Sequence, residues 1–304
     1  MSFAAGLKTI VVATDLAGRS EAALEYGRKL AGGYGARIVL AHGLDPLEYA
    51  TVDAVPGGVL DKMTEAARGA LDALGSDLLR EGIHSHSEIR QGAVAQMLVE
   101  VARQYDAGLI VIGTKGMEGA GPVVVGAIAE ELVRKAPCPV LAVAADWNAG
   151  PFRPTPGGPV LLAMERNDAM QAAVETAHSL AVTFKRTLIV VHARKAAEAA
   201  AILNPGASTG PATLDQYGIR ASADCPVRFV VKDGSPADAI GSAIAQFQPS
   251  ILVAGVKRTS ETPGKHGTVF AMLASSRVPV LCVPPDGPAK AGTEGEPAAA
   301  AKTA

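Results

Sequence analysis

The sequence has few of the features that mark secreted, membrane-bound or nucleic-acid-binding proteins. It contains only three cysteines, an odd count that excludes a disulfide framework and is typical of a reducing compartment. Lys and Arg total 28 against 30 Asp and Glu, so the basic excess of nucleic-acid and anionic-membrane binders is absent. No apolar run approaches the roughly 20 residues of a membrane span, and the N-terminus does not resemble a signal peptide. We therefore predict a cytoplasmic protein with neither nucleic acid nor membrane as partner.

Apolar residues are abundant, and they follow an alternating pattern of strands and helices. Hydrophobic residues make up 48% of the 304 residues, enough for a packed core, and the length suggests two domains at roughly 150 residues each. Because the strands are too apolar to face water on either side, helices must cover both faces of a parallel, doubly wound sheet. Ser20 is the predicted N-cap of the first helix. The predicted strands of the first half cover residues 10–13, 38–42, 84–90 (near a sheet edge), 109–112 and 140–143, and the later helices cover 60–78, 94–105 and 128–135.

The second half of the chain repeats the first. Ala13, Leu30 and His42 recur 150 residues later as Ala163, Leu180 and His192, and Pro139-Val-Leu141 recurs 140 residues later as Pro279-Val-Leu281. A repeat this long indicates a duplicated domain, since solenoid repeats span roughly 20–50 residues. The fold class is therefore α/β, with two doubly wound five-stranded parallel-sheet domains in tandem.

Composition sets the predicted domain boundaries. Domain 1 covers residues 1–146 and domain 2 covers residues 159–284. The linker, residues 147–158, is rich in proline and glycine, and Trp147 within it is interpreted as an anchor against one domain. Residues 285–304 lack apolar periodicity and form a predicted disordered tail.

Candidate binding residues follow the first and fourth strands. Ligands of doubly wound sheets lie outside the carboxyl ends of the strands, at the switch point of the topology. Asp15 follows the first strand, Gly113-Thr-Lys-Gly116 follows the fourth, and Gly126 precedes a helix. Glycines in such a loop let backbone amides approach a phosphate, and the helix N-terminus adds unpaired donors. Glycine also serves ordinary turns, so this pattern alone leaves both interpretations open.

The glycine spacing and the motif that follows it resemble the universal stress protein family. The motif is Gly-x2-Gly-x9-Gly followed by Ala136-Pro-Cys-Pro-Val-Leu141, and the resemblance covers residues 7–144 and, in degenerate form, 159–284. It implies the adenine nucleotide α-hydrolase-like fold of that family. It also implies ATP as a possible ligand, with Asp15 at the adenosine and Gly113, Gly116 and Gly126 at the phosphates.

The chain departs from the family pattern in both halves. Ala127 follows Gly126 where the family has Ser or Thr, which removes one hydrogen bond to phosphate and weakens binding by about ten- to a hundredfold. In the second half Glu165 replaces Asp15 and Arg258 replaces Gly116. We therefore expect nucleotide in the N-terminal domain only, and a second domain that has kept its fold and lost its ligand.

Three functions remain open at this point. The first is a nucleotide-dependent stress-response regulator or interaction module that binds ATP and an unidentified protein partner. The alternatives are a nucleotide-free interaction scaffold with both sites degenerate, and a slow ATPase. The sequence contains no nucleophile elbow, Walker lysine or paired catalytic carboxylates, so we predict no catalytic residue and no enzyme. His84 and His86 share a strand face without a third ligand, so no metal is expected, and Cys138 is interpreted as structural.

The last strand of each half predicts how the two domains associate. Residues 140–143 and 280–283 are apolar and uncharged, and such edge strands favour pairing. We predict that the fifth strands pair within one chain, about a pseudo-twofold axis. Further homodimerisation through other surfaces remains possible.

Overall fold

The computed structural model describes residues 3, 7–16, 18, 20–44, 58–114, 127–145, 147, 157–164, 170–194, 221–256 and 268–285. Most of the predicted linker and of the predicted disordered tail lies outside these residues.

The first half contains every strand and helix that the sequence predicts, in the predicted order. The N-terminal ends of most elements differ from the prediction by one residue. The elements are β1 (Thr9–Ala13), α1 (Glu21–Tyr34), β2 (Arg37–Leu44), α2 (Val59–Arg80), β3 (Ser85–Gln91), α3 (Val94–Gln104), β4 (Leu109–Thr114), α4 (Ala127–Lys135) and β5 (Val140–Ala144).

The second half repeats this order except that residues 195–220, the region where the first half has α2, lie outside the described residues. Its elements are β6 (Val160–Met164), α5 (Met170–Thr183), β7 (Leu188–Arg194), β8 (Val227–Asp233), α6 (Pro236–Phe247), β9 (Ile251–Gly255), α7 (Thr268–Ser275) and β10 (Val280–Val283).

The ten strands of the described residues form one sheet, in the order β3-β2-β1-β4-β5-β10-β9-β6-β7-β8. The strands within each half are parallel, whereas β5 and β10 are antiparallel, with Leu141 opposite Leu281. These two leucines occupy equivalent positions in the repeat, so a pseudo-twofold axis passes between them. The predicted pairing of the fifth strands within one chain is therefore present, and β3 lies at a sheet edge as predicted.

A second pair of equivalent residues meets where α1 approaches α5. The rings of Tyr34 and Phe184, 150 positions apart, lie edge to face with centroids 5.9 Å apart, and the Tyr34 hydroxyl lies 3.2 Å from Ser179 Oγ. A Cβ on Gly33 would come within 2.6 Å of the Phe184 ring, so any other residue at position 33 would force that ring to move. On the opposite face, the Arg134 guanidinium of α4 lies 5.1 Å from the ring centroid of Phe270 on α7.

The core has two layers, one on each face of the sheet. Ile10 and Val12 of β1 point into the layer covered by α1, α2 and α5, and Val11 points into the layer covered by α3, α4, α6 and α7. Burial on both faces explains why the strands are uninterrupted apolar runs. None of the described helices combines the length and the apolar character that crossing a bilayer requires.

Trp147 packs against the first half, as predicted for a linker anchor. Its side chain is 7% exposed and lies edge to face against Tyr26 of α1, with ring centroids 5.0 Å apart. The Tyr26 hydroxyl donates a hydrogen bond of 2.5 Å to the Ser250 carbonyl, just before β9. The end of the first half is thus joined through α1 to the second half.

Candidate functional site

The sheet order places the switch point of the topology, where a ligand crevice is expected, between the carboxyl ends of β1 and β4. The chain runs from β1 to β2 and β3 on one side, then returns to β4 and β5 on the other, so the topology switches between β1 and β4. Val12 pairs with Val111. Asp15 follows Val12 by three residues and Gly113 follows Val111 by two, so both lie at the same edge of the sheet. The structure therefore brings Asp15 and Gly113, two of the predicted site residues, to the position where doubly wound sheets bind ligands.

Ser20 holds Asp15 at this crevice. The Ser20 hydroxyl donates a 2.7 Å hydrogen bond to Asp15 Oδ1 and accepts one of 3.1 Å from the Asp15 amide. Since its single proton goes to Asp15, the hydroxyl of Thr14, 3.0 Å away, donates to Ser20. Ser20 is the N-cap residue of α1, as predicted, but its side chain makes no capping hydrogen bond, because its hydroxyl is committed to the Asp15 turn.

Replacing Ser20 with alanine is expected to lower the free energy of unfolding by about 1–3 kcal/mol, because the half-buried amide and carboxylate of Asp15 each lose a hydrogen-bond partner. Denaturant unfolding followed by circular dichroism measures the change. Ser76→Ala is the matched control, since Ser76 is exposed and its hydroxyl bonds only to the Asp72 carbonyl of its own helix. The control should change the free energy by less than about 0.5 kcal/mol. Equal effects of the two variants would contradict the role given to Ser20.

His42 fixes the neighbouring strand end. Its Nδ1 lies 2.8 Å from the Thr14 carbonyl, which only accepts, so Nδ1 carries the ring proton. The Thr14 amide in turn donates to the Ala41 carbonyl at 2.9 Å. The equivalent His192 has a buried Nδ1 without a hydrogen-bond partner among the described residues. The two strand ends of the first half are thus tied by a side chain, and those of the second half lack the equivalent bond in the described part.

The remaining predicted site residues are only partly described. Ala127 is the first residue of α4, so the predicted helix N-terminus follows Gly126 as expected. The first amides of a helix have no partner within it and can donate to an anion. Gly116 and Gly126 lie outside the described residues, as do Glu165 and Arg258 of the second half.

The cysteines are poor nucleophiles. Cys138 and Cys282 are at most 2% exposed, and burial raises the pKa of each thiol to about 12; for Cys138 the charge of Asp106 adds to this effect. Both thiols are protonated at neutral pH, and the thiolate is the reactive form. This agrees with the interpretation of Cys138 as a structural residue.

The histidines of the outer edge take part in a local polar network. His86 Nε2 lies 3.5 Å from Glu88 Oε1, and its ring is 5.3 Å from the ring of Tyr105, whose hydroxyl also donates to Glu88. Within the described ranges, no group of three potential metal ligands comes together. His86 is therefore a surface residue whose partner is the Glu88 carboxylate.

Comparisons with known proteins identify similar sequences and folds. The sequence model described as "Universal stress protein family" matches residues 6–144 and 158–284. A universal stress protein of Methanocaldococcus jannaschii is 29% identical over 138 residues, 45% of this chain and 81% of that protein. One from Mycolicibacterium smegmatis is 29% identical over 193 residues, 60% of this chain and 63% of that protein. The crystal structure of a universal stress protein from Archaeoglobus fulgidus has the same fold, with a TM-score of 0.70 at 18% identity, covering 90% of this chain and 97% of that one.

Proposed function

Because the chain belongs to the universal stress protein family, we propose that its N-terminal half binds an adenine nucleotide, with ATP as the ligand. Binding would make the protein a nucleotide-dependent regulator or interaction module in a stress response. The observation that carries this proposal is the Asp15 turn, which Ser20 holds at the switch point, on the sheet edge where Gly113 also lies.

The geometry of the crevice supports a division of roles between its two strand ends. An ionised carboxylate can accept about four hydrogen bonds, so the bond from Ser20 orients Asp15 and is compatible with contact to the nucleoside. The end of β4 at Gly113, with Gly116 and Gly126 in the segment after it, would hold the phosphates through backbone amides. The N-terminus of α4 at Ala127 would add its unpaired amides and the positive end of the helix dipole.

In this proposal the second half serves as a folded partner of the first. It pairs through β10, and it carries Glu165 and Arg258 where the first half has Asp15 and Gly116. The Glu165 side chain is one methylene longer than that of Asp15, and Arg258 adds a long, positively charged side chain where the first half has glycine. Both differences would change the contacts that a nucleotide could make. One nucleotide per chain is therefore the proposed stoichiometry.

The test is to measure nucleotide on the full chain and to restore the missing hydroxyl. Heating freshly purified protein should release ATP or ADP at about one per chain, detected by mass spectrometry. Isothermal titration calorimetry should show that Ala127→Ser binds ATP roughly tenfold more tightly, because a hydroxyl at the start of α4 adds one hydrogen bond to a charged phosphate.

Ala70→Ser is the matched control, since Ala70 is exposed on α2, and its affinity for ATP should equal that of the wild type. If no nucleotide is released and millimolar ATP gives no heat, the nucleotide-free scaffold replaces this proposal. If Ala127→Ser leaves the affinity unchanged, α4 does not meet the phosphates.

A further inference from the structure

A cavity of about 230 Å³ lies between the two halves, on the side of α1 and α5. It is built from the first half, the second half and both described ends of the linker, Trp147 and Gly157. Binding sites of small molecules are commonly found at such domain interfaces. Most of the wall is apolar, and the aliphatic side chains that line it are Leu30, Val160, Leu180 and Ile251.

The polar groups of the first half that line the cavity already have partners. The Tyr26 hydroxyl donates to the Ser250 carbonyl, and burial raises its pKa well above the usual value, so it stays protonated. Lys29 Nζ lies 2.6 Å from Glu25 Oε1 and 5.1 Å from the Trp147 ring centroid. Tyr26 and Lys29 therefore do not need a charged ligand in the cavity as a partner.

Arg186 differs from these groups. It is half-buried at the cavity wall, and its Nη1 lies 2.9 Å from the position that a Cβ on Gly157 would take. Among the described residues, no carboxylate pairs with its guanidinium. A guanidinium presents a planar fork of donors that matches a carboxylate, and partial burial strengthens such a pair.

We propose that this cavity binds a small organic carboxylate whose body is aromatic or branched aliphatic. The carboxylate pairs with Arg186, and the apolar body lies among Leu30, Leu180 and the Trp147 ring. The size agrees, because a protein cavity of roughly 150 Å³ accepts benzene, which leaves room here for a ring with a short acidic side chain. The site is separate from the β1–β4 crevice, so the proposal stands independently of nucleotide binding.

Phenylacetate is the probe, and phenylacetamide is its uncharged match. Isothermal titration calorimetry on the full chain should show phenylacetate binding with a dissociation constant of about 1 mM or lower. Phenylacetamide should bind about ten- to a hundredfold more weakly, because the charged bond to Arg186 is lost. Trp147 is the only tryptophan, so its fluorescence should change along the same titration curve.

Arg186→Gln should reduce phenylacetate affinity about tenfold or more, with a circular dichroism spectrum like that of the wild type. Arg228→Gln is the matched control, since Arg228 is exposed on the edge strand β8, and it should leave the affinity unchanged. Absence of saturable binding, equal affinity for phenylacetate and phenylacetamide, or equal losses in the two variants would each overturn the proposal. The comparison of the two probes needs no variant, so it decides the matter even if Arg186→Gln does not fold.

Discussion

Residues 1–148, expressed without the rest of the chain, are expected to form a homodimer. Every residue of β5 is buried in the full chain, and removal of β10 leaves it as an apolar sheet edge. Such an edge readily pairs with another strand. Since Leu141 and Leu281 are equivalent, a second copy can supply its own β5 in place of β10, with Leu141 facing Leu141.

Sedimentation velocity tests whether the fragment dimerises. A cysteine introduced at position 141 tests whether the two copies of β5 pair with Leu141 opposite Leu141. Residues directly opposite each other in an antiparallel pair have Cα atoms roughly 4.5–5.5 Å apart, within the range of a disulfide. Under oxidising conditions the Leu141→Cys fragment should therefore form a covalent dimer. Leu71→Cys is the matched control, because Leu71 is equally buried but lies on α2, away from the axis, and it should not cross-link. A fragment that stays monomeric at tens of micromolar would contradict the arrangement.

Gly116→Arg is expected to abolish measurable ATP binding, a loss of about a hundredfold or more. In the proposed nucleotide site the backbone after β4 approaches the phosphates, and a long side chain there would occupy the space that the ligand needs. The substitution introduces the residue that the second half carries at the equivalent position, Arg258. Isothermal titration calorimetry with ATP measures the loss.

The matched control for this variant is Gly69→Arg. Gly69 is exposed on α2, and a Cβ there would meet no atom within 4 Å. The control makes the same change of residue and charge away from the crevice, so its ATP affinity should be unaltered. Wild-type affinity in Gly116→Arg would place the phosphates elsewhere.

The strands and their parallel arrangement were predictable because the hydrophobic pattern reports burial on both faces. Ile10, Val11 and Val12 form one continuous apolar run, and the structure sends alternate residues into the two core layers. The repeat also contained a signal for the contact between α1 and α5 across the pseudo-twofold axis. The offset of 150 residues relates Tyr34 to Phe184, so the sequence has an aromatic residue at this position in both halves, and the two rings meet in the structure.

The role of Ser20 was not predictable from local preference alone. A serine just before a helix can accept from the helix amides or turn back to the preceding loop, and both choices satisfy its hydroxyl. The Ser20 hydroxyl bonds to the preceding loop because the turn brings Asp15, five residues earlier, close to it. The partner of His42 was not predictable either. The recurrence of histidine at position 192 indicates a shared role, but it does not show that His42 bonds to the Thr14 carbonyl.

The cavity at Arg186 was missed for a different reason. Its walls come from α1, Trp147, the end of the linker, α5 and the start of β9, which are far apart in the sequence. No spacing rule connects such segments. The only sequence signal was an isolated tryptophan in a linker, which pointed to an anchor rather than to the space beside it.

The antiparallel pairing of β5 and β10 also determines where the chain passes from the first half to the second. Because the second half is inverted, β6 begins at the same edge of the sheet at which β5 ends, so the connection from Ala144 to Val160 need not cross the sheet. In a symmetric dimer any mutation appears on both sides of the axis. In a single chain, a residue such as Arg258 is present on one side alone, so the two halves can differ at their strand ends while they share one sheet.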